Sequence, residues 1–378
     1  MRIILFSTYF YPYTSGLSNY PLKFLTRLVK KHEITVLTFR YQSGLKKIDL
    51  YQKIKIVRMP YLFKISKGFI SPQSFIYYLK YLRNSDLVIL NLPNFEAFPM
   101  AFLAWLYKKK ILSILLCEVQ LVGNIVSKII NFFLDLSVYF QLLLSKEIVT
   151  MTQDYIADKL AYKLFKKKIK LVLPPVAKLS IDQSKLDEFR KIKKRSFWLG
   201  FVGRISREKG LEHLIKAVAK LSSKIPNLKL VFAGPYGKQV VSENNYYLAI
   251  KKLLKKLRVD YIFFGSLSNE QLGAFYKIID VLILPSLNKT EALGIVQIEA
   301  MLAGTPVIAS DLPGVRVPVK LTKMGETFDP RNINKLIKVI EKVIKNKKIY
   351  SSPVLVEKTQ KVFNAQKSYR IFDTLIDV

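Results

Sequence analysis

Short continuous apolar runs recur along the first half of the chain, separated by loops and by segments of helical periodicity. Such runs are typical of strands that are buried on both faces of a parallel sheet. We predict a helix at 20–30, after a loop that contains Gly16. The predicted strands lie at 2–7, 34–39, 86–90, 111–116, 148–152 and 170–173. Strands that alternate with helices predict an α/β fold with a parallel sheet.

The second half repeats the same strand–loop–helix pattern. A strand at 197–202 leads into a loop with Gly203 and Gly210, and a further helix is predicted at 272–279. Other predicted strands lie at 228–233, 261–265, 282–285 and 306–310. The repetition predicts two domains, at 1–174 and 196–350, joined by a charged linker at 175–195 that contains a helical patch. The proline pair Pro174 and Pro175 stiffens the exit from the first domain.

Composition narrows the classes of function. Half of the 378 residues are hydrophobic and 12% are aromatic, which excludes a disordered chain. One cysteine, Cys117, excludes a disulfide framework, and His32 and His213 are too few for a histidine-rich metal site. The first strand begins at Arg2 without a charged and apolar leader, so we expect a cytoplasmic protein.

The formal net charge of +35 favours an anionic partner, such as a nucleic acid, an acidic membrane face or a phosphorylated substrate. A solvated, lysine-rich surface is an equally good interpretation. Residues 61–83 mix aromatic and basic side chains, which suits either an anionic membrane surface or a core helix with a basic outer face. The apolar run at 121–144 is interrupted by Lys128 and Asp135, so we expect a buried or interfacial helix rather than a membrane span.

The stretch 282–310 carries the strongest chemical signal. Its helix is predicted to open near 292–294, and Glu291 and Glu299 lie eight residues apart around this opening. On an ideal helix this step is a rise of ~12 Å with a rotation of ~80°, so both carboxylates would face one cleft.

Backbone amides between the two carboxylates would form an anion site. The free N–H groups of a helix start, together with the positive end of the helix dipole, bind phosphate. Here they belong to Leu293, Gly294, Ile295 and Val296. A nucleotide-sugar, with hydroxyls at both ends and a diphosphate between them, fits this arrangement.

The sequence EALGIVQIEAMLAGTPVIAS, with its E-x7-E spacing, resembles the signature of the retaining glycosyltransferases of family 4. This family includes glycogen-synthase-like and mannosyltransferase-like group 1 enzymes. The resemblance implies the GT-B fold, in which two Rossmann-like domains with doubly wound parallel sheets face a central cleft. It also implies that a terminal helix, within 351–378, returns to the N-terminal domain. The N-terminal domain would then bind the acceptor and the C-terminal domain the donor.

A second motif follows the strand at 197–202. GRISREKG resembles the family's GR-x4-KG motif, in which an arginine and a lysine bind the donor diphosphate; here these are Arg204 and Lys209, beside Gly203. Two fixed cations can neutralise the charge that develops on a leaving diphosphate without a metal ion. The resemblance therefore assigns catalysis to Arg204, Lys209 and Glu291, with Glu299 binding the ribose.

The resemblance also concerns positions outside these two motifs. Gly16 stands where the family has paired glycines against the donor phosphates, and the main chain at Phe264 and Gly265 corresponds to the loop that holds the base. The histidine that related enzymes place next to the acceptor is replaced by Leu116. Glu118, two residues later, either orients an acceptor hydroxyl or caps neighbouring backbone.

These observations predict a retaining, metal-independent hexosyltransferase that uses a nucleotide-diphosphate sugar as co-substrate and needs no cofactor. The expected acceptor is a glycan or a lipid-linked precursor at the cytoplasmic face of the membrane, and no specific nucleic acid is expected. A related GT-B epimerase or phosphorylase is one alternative. A catalytically weak GT-B protein that binds anions, nucleic acid or a partner enzyme is the other, favoured by the missing histidine and the single loop glycine.

Overall fold

The computed structural model describes residues 1–13, 15–65, 68–117, 125–240, 243–288 and 290–377. The chain forms two compact units. The first unit contains Met1–Pro175 together with Gln366–Val378, and the second contains Val176–Ala365.

The first unit is built on one large sheet. Within the described residues it has eight strands in the order β10-β9-β8-β7-β1-β2-β4-β3, and every neighbouring pair is parallel except β3 with β4. The strands are β1 (Arg2–Phe6), β2 (Glu33–Phe39), β3 (Ile48–Tyr51), β4 (Ile54–Met59), β7 (Leu87–Leu92), β8 (Lys110–Leu115), β9 (Glu147–Thr150) and β10 (Ile169–Leu171). A small antiparallel hairpin consists of β5 (Phe63–Ile65) and β6 (Gly68–Ile70).

Helices cover the two faces of this sheet, which explains why its strands are apolar throughout. They are α1 (Gly16–Leu28), α2 (Ser74–Leu82), α3 (Phe98–Leu106), α4 (Ile125–Leu144), α5 (Gln153–Ile156), α6 (Leu160–Phe165) and α16 (Ala365–Asp377), with a 3₁₀ turn at Lys166–Lys168. The central strand β1 pairs with β2 on one side and with β7 on the other, and its residues from Ile3 to Phe6 are at most 3% exposed.

The second unit has a parallel sheet of six strands within its described residues, in the order β13-β12-β11-β14-β15-β16. The strands are β11 (Phe197–Val202), β12 (Leu228–Ala233), β13 (Tyr261–Phe263), β14 (Val281–Leu284), β15 (Val307–Ser310) and β16 (Gly325–Phe328). Numbered from β11 onward, this is the 3-2-1-4-5-6 order of a Rossmann sheet, whose direction of winding reverses between β11 and β14.

The helices of the second unit pack on both faces of its sheet over two buried hydrophobic clusters. They are α7 (Gln183–Lys193), α8 (Leu211–Leu221), α9 (Asn244–Lys256), α10 (Asn269–Ile278), α11 (Ile295–Leu302), α12 (Val317–Thr322), α13 (Ile333–Lys345), α14 (Lys347–Tyr350) and α15 (Pro353–Val362). Short 3₁₀ turns lie at Arg207–Lys209 and Gly237–Gln239.

The segment predicted as a linker, 175–195, contains a helix of the second unit. Asp182 caps α7 by accepting a hydrogen bond from the amide of Lys185 at 2.9 Å. Leu186 and Phe189 are buried, at 4% and 0% exposure, in the cluster that also holds Trp198. The sequence pattern did not reveal this apolar pair, because only two residues of α7 reach the core and its outer face is charged.

The predicted terminal helix is two helices with different partners. Thr359 of α15 is buried in the second unit, where its hydroxyl lies 3.1 Å from the sulfur of Met324. The ring of Phe372 on α16 stacks on Phe24 of α1 with centroids 4.2 Å apart. The last helix is therefore part of the first unit.

Asp280 anchors the start of β14. Its carboxylate accepts a hydrogen bond from the amide of Trp198 at 2.8 Å and pairs with Lys193 at 2.7 Å and Lys347 at 2.5 Å. Asp280 is only 7% exposed, so its removal would leave the Lys193 ammonium without its counter-ion. The Asp280 carboxylate therefore connects α7 and α14 to the start of β14.

We expect Asp280→Ala to lower the free energy of unfolding by about 3 kcal/mol, because breaking a buried ion pair leaves an uncompensated charge. Urea denaturation measures this change. Asp260→Ala is the matched control: the Asp260 side chain is 73% exposed and pairs with Lys229 at 3.5 Å, so its loss should cost little. Equal effects of the two substitutions would contradict the anchoring role of Asp280.

Candidate active site

The loops that follow β11 and β14 lie side by side at the carboxyl edge of the second sheet. Strands β11 and β14 are neighbours, and the winding direction of the sheet reverses between them. In open α/β sheets, ligands bind outside the carboxyl ends of the strands at such a reversal. The loops 203–210 and 285–294 therefore occupy the expected position of a ligand site within this unit.

Glycines allow the strand ends beside these loops to approach closely. Gly203, Gly234 and Gly265 follow the adjacent strands β11, β12 and β13, and all have positive φ angles, of +146°, +136° and +75°. A Cβ atom on Gly234 would lie 2.2 Å from the carbonyl oxygen of Gly203. The Gly234 amide donates to the Gly265 carbonyl at 2.7 Å. Only glycine at 234 therefore permits this arrangement of strand ends.

The two loops are joined by direct contacts. The amide of Leu287 donates to the carbonyl of Glu208 at 2.9 Å. Gly210 has a φ of +65°, and a Cβ atom there would lie 2.5 Å from the carbonyl oxygen of Pro285. This close packing places the end of one loop against the start of the other.

The same packing brings Lys209 and Glu291 together. The Lys209 ammonium donates to Oε2 of Glu291, and their side chains are only 16% and 20% exposed. The hydroxyl of Ser286, itself 1% exposed, lies 3.4 Å from the same oxygen. A cation and an anion separated by 82 positions in the sequence thus form one half-buried pair.

Arg204 lies on the same loop and is held by Glu208. Its guanidinium is 3.4 Å from Oε1 of Glu208, and the Arg204 side chain is 35% exposed. Burial alone would raise the pKa of Glu208, but hydrogen bonds to its carboxylate and the charges of Arg204 and Lys209 lower that pKa below its usual value. The carboxylate is therefore ionised at neutral pH, which keeps Arg204 oriented on the loop.

Helix α11 starts at Ile295, and Gly294 caps it in the left-handed conformation with φ +73°. A Cβ atom on Gly294 would lie 2.3 Å from Cδ2 of Leu284 and 3.0 Å from the amide nitrogen of the Gln297 side chain. The amides of Leu293, Gly294, Ile295 and Val296 lie at this helix start, where helix geometry leaves N–H groups without intrahelical acceptors.

The ideal-helix estimate for Glu291 and Glu299 is wrong. Glu291 lies in the loop before Gly294 and outside α11, so the eight-residue step between the carboxylates is not helical. The left-handed residue at Gly294 turns the chain out of the helical path. The two carboxylates consequently have different surroundings.

Glu299 is bound to Tyr276 of α10. The Tyr276 hydroxyl donates to Oε2 of Glu299 at 2.9 Å, and Tyr276 is fully buried. Burial, together with the neighbouring charge of Glu299, raises the pKa of Tyr276 well above its usual value, so the hydroxyl stays protonated as a donor. Both residues also border a cavity of about 40 Å³, which has room for about one water molecule.

Phe264 and Gly265 occupy the loop after β13. The Phe264 ring packs in the core, 4.8 Å from the ring of Phe189 and 5.7 Å from that of Trp198, measured between centroids. Its amide donates to the carbonyl of Phe232 at 2.9 Å. The Phe264 side chain is therefore part of the core, and the Phe264 amide and the Gly265 carbonyl are both hydrogen-bonded between strand ends. Donor binding by this loop stays a prediction.

The remaining predicted positions belong to the first unit. Gly16 is the first residue of α1, where Ser15 caps the helix by accepting from the amide of Ser18. Leu116 follows β8 and is 3% exposed. Glu118 lies outside the described residues, so its role stays a prediction.

Three participants in these contacts were missed from the sequence: Glu208, Tyr276 and Ser286. Glu208 falls inside the x4 stretch of the GR-x4-KG motif, where no residue type is specified. Ser286 is the second residue after the strand β14, a position at the carboxyl edge of the sheet that could have indicated it. Tyr276 has no sequence signal, because its pairing with Glu299 depends on the packing of α10 against α11.

Two other features of the structure bear on ligand binding. Within the described residues, no group of three or more His, Cys, Asp or Glu side chains could hold a metal ion. An open groove of about 960 Å³ lies elsewhere in the second unit, bordered by Lys216, Lys220, Lys256, Arg258 and Arg331 among others. It contains none of the predicted site residues.

Known proteins resemble the part of the chain that contains this site. Residues 182–361 match the family model of glycosyl transferases group 1, a span just under half of the chain. An uncharacterized glycosyltransferase of Methanocaldococcus jannaschii is 32% identical over 145 residues, which cover 38% of this chain and 35% of that protein. The lipopolysaccharide 1,2-N-acetylglucosaminetransferase of Salmonella typhimurium is 36% identical over 116 residues, which cover 30% of each chain. The matches thus span about a third of these relatives' own length.

A solved structure identifies the fold. HepE of Anabaena, in complex with UDP and glucose, matches this chain with a TM-score of 0.77 at 16% identity, and the match covers 100% of both chains. The fold is GT-B, with two Rossmann-like domains, and the predicted fold class is confirmed. The likeness to solved structures thus shows the fold, and the match to the group 1 glycosyl transferase model concerns residues 182–361.

Proposed function

We propose that this protein is a retaining glycosyltransferase that moves a hexose from a nucleotide-diphosphate sugar to an acceptor hydroxyl. The observation that carries the proposal is the Lys209–Glu291 pair, which lies between the two loops at the winding reversal of the second sheet. A fixed cation and a fixed carboxylate beside a helix start match the alternating anionic and hydroxyl groups of such a donor.

Each group has a separate role in the proposal. Arg204 and Lys209 would neutralise the charge that develops on the leaving diphosphate, and the amides from Leu293 to Val296 would bind its oxygens. Glu291 would accept hydrogen bonds from sugar hydroxyls while its pairing with Lys209 keeps both groups in place. Glu299 would accept hydrogen bonds from the ribose, and Gly16, Gly203, Phe264 and Gly265 would offer backbone to the donor.

The proposal also includes two mechanistic points: the sugar keeps its anomeric configuration, and catalysis needs no metal ion. The resemblance to family 4 supports retention, in which a donor phosphate oxygen receives the acceptor's proton. Two cations on one rigid loop would supply the charge that a divalent ion supplies elsewhere. Measurement of the product anomer by NMR and of activity in the presence of EDTA tests both points, and inversion or loss of activity with EDTA would contradict them.

We propose a lipid-linked or cell-surface glycan precursor as the acceptor, at the cytoplasmic face of the membrane. The net charge of +35 supports an anionic acceptor environment. The Salmonella relative named for lipopolysaccharide supports the same class. Leu116 replaces the histidine of related enzymes, so the acceptor hydroxyl would be oriented by other groups.

A panel of UDP-, GDP- and ADP-sugars tests the proposal. Donor hydrolysis, or transfer to a lipid-extract acceptor, is followed by release of the nucleoside diphosphate. We expect one nucleotide series to be turned over and Glu291→Gln to suppress the turnover. If no nucleotide-sugar of the panel is turned over and RNA or DNA binds tightly, the result would instead support a catalytically weak anion-binding protein.

Tyr276→Phe tests the role of Glu299. This substitution keeps the ring and removes the hydroxyl that orients the carboxylate. We expect KM for the donor to rise about five- to tenfold, because a hydrogen bond to a charged group is lost, while kcat changes less since ribose binding is the same in ground and transition states. Steady-state kinetics with varied donor measures both constants.

Tyr246→Phe is the matched control for this measurement. The Tyr246 hydroxyl donates to Glu212 at 2.8 Å in the same unit, so the same type of bond is removed without a change at Glu299. An equal rise of KM in both variants would show that Tyr276 acts through general stability and not through Glu299.

A further inference from the structure

Helix α4 of the first unit presents a broad apolar stripe to the outside. At about 100° per residue, six large side chains fall within an arc of about 100°. Their exposed fractions lie between 42% and 63%. They are Ile129, Phe132, Phe133, Leu136, Phe140 and Leu143.

The opposite face of α4 is fixed to the unit. Val138 and Leu142 belong to its hydrophobic core, and the Gln141 side chain donates to the carbonyl of Asn94 at 2.9 Å. By length and composition, residues 127–144 could cross a membrane. Only 17% of this stretch is buried inside the protein, so α4 is not an ordinary core helix. Because one face is tied to the core, the helix lies along the unit, and its outer face has no covering element among the described residues.

Helix α3 extends the stripe. Its residues Phe98, Phe102, Trp105 and Leu106, with i, i+4, i+7 and i+8 spacing, are 38%, 47%, 54% and 58% exposed. The ring of Phe98 lies 5.8 Å from that of Phe140 on α4, so the two helices form one continuous area. We call these exposed side chains of α3 and α4 the apolar surface. Monomeric soluble proteins rarely expose apolar areas of this extent without a binding partner.

Several lysines lie next to the helices of the apolar surface along the chain. Between 98 and 168 the sequence has ten lysines against five acidic residues. Lys108 follows α3, Lys128 lies beside the stripe on α4, and Lys166 and Lys167 follow α6; all four are exposed. Lys168 donates to the carbonyl of Leu143 at 2.7 Å, which fixes the end of this basic segment next to the end of α4.

We infer that the apolar surface docks on an anionic lipid bilayer, with α3 and α4 lying in the plane of the interface. Aromatic and aliphatic side chains flanked by lysines are the composition of interfacial helices, whose rings enter the headgroup boundary while lysines contact anionic lipids. A second copy of the chain fits less well, because a symmetric contact would bring the same lysines of both copies together. This inference goes beyond the proposed sugar transfer and does not depend on it.

Vesicle sedimentation of the full chain, without donor or acceptor, tests the inference. We expect binding to vesicles of phosphatidylcholine with phosphatidylglycerol and much weaker binding to phosphatidylcholine alone. The double variant Phe132→Ser/Phe133→Ser should lower the partition coefficient at least tenfold. Lys166→Gln/Lys167→Gln should lower it about fivefold per lysine, mainly at low salt.

Ile349→Ser/Val354→Ser is the matched control, because these side chains are 65% and 73% exposed in the second unit. Its partitioning should equal that of the wild type, and circular dichroism and thermal unfolding should be unchanged in every variant. Absence of wild-type binding to anionic vesicles, or equal losses in the control, would overturn the inference. A lipid-free dimer that the phenylalanine variant dissociates would do the same, since the surface would then join two copies.

Discussion

Replacement of Lys209 by methionine is expected to lower kcat/KM for the nucleotide-sugar donor by a factor of about 10²–10³, the usual effect of removing one preorganised group that stabilises developing charge. Two effects contribute. The ammonium next to the leaving diphosphate is lost, and Glu291 loses the partner that holds it in a half-buried position. Because the lost interaction is strongest in the transition state, kcat should fall more than KM rises.

Two further variants serve as controls for the Lys209 measurement. Lys216→Met removes an exposed lysine from α8, seven positions later, and should leave kcat/KM unchanged. Lys209→Arg retains the positive charge and should recover part of the lost activity. If Lys209→Met kept kcat/KM within threefold of the wild type with its thermal unfolding unchanged, Lys209 would be a surface cation and the assigned mechanism would be wrong.

Substitution of Gly234 by alanine is expected to lower the free energy of unfolding of the second unit by at least about 3 kcal/mol. The left-handed φ of +136° is strained for any residue with a Cβ atom, and this atom would lie 2.2 Å from the carbonyl oxygen of Gly203. For a domain of this size, each kcal/mol lowers the melting temperature by about 2–4 °C. Calorimetry should therefore show a decrease of roughly 6–12 °C in the transition of this unit.

The same substitution should also lower donor affinity, because a displaced Gly203 carbonyl moves the loop that carries Arg204 and Lys209. Gly44→Ala is the control: it is exposed, and a Cβ atom there would meet nothing within 4 Å. A melting temperature for Gly234→Ala equal to that of Gly44→Ala would contradict the close approach of the strand ends β11 and β12.

Much of the fold could be predicted from local pattern. A strand buried on both faces must be apolar throughout, so runs such as 2–7 and 197–202 were visible without any knowledge of contacts. The loops after these strands were also predictable, since glycine is required where a backbone turns through a positive φ. The residues Arg204, Lys209, Glu291 and Glu299 were found because the E-x7-E and GR-x4-KG motifs that contain them resemble family signatures.

The remaining features depend on packing that has no local signal. The path between Glu291 and Glu299 is not helical because Gly294 adopts the left-handed conformation just before α11, and the sequence alone does not fix that conformation. The pairing of Tyr276 with Glu299 arises between two helices 23 positions apart. The helical patch in the linker was predicted, but its packing into the second unit was not, because the two core residues of α7, Leu186 and Phe189, are outnumbered by charged neighbours.

The position of α16 determines the order in which the two units can be completed during translation. The second unit is one uninterrupted segment, 176–365, whereas the first requires the strands at the start of the chain and the helix at its end. A ribosome therefore releases every residue of the second unit before the last helix of the first is available. Until then, the groove on α1 that receives Phe372 stays open, and the first unit is the later of the two to mature.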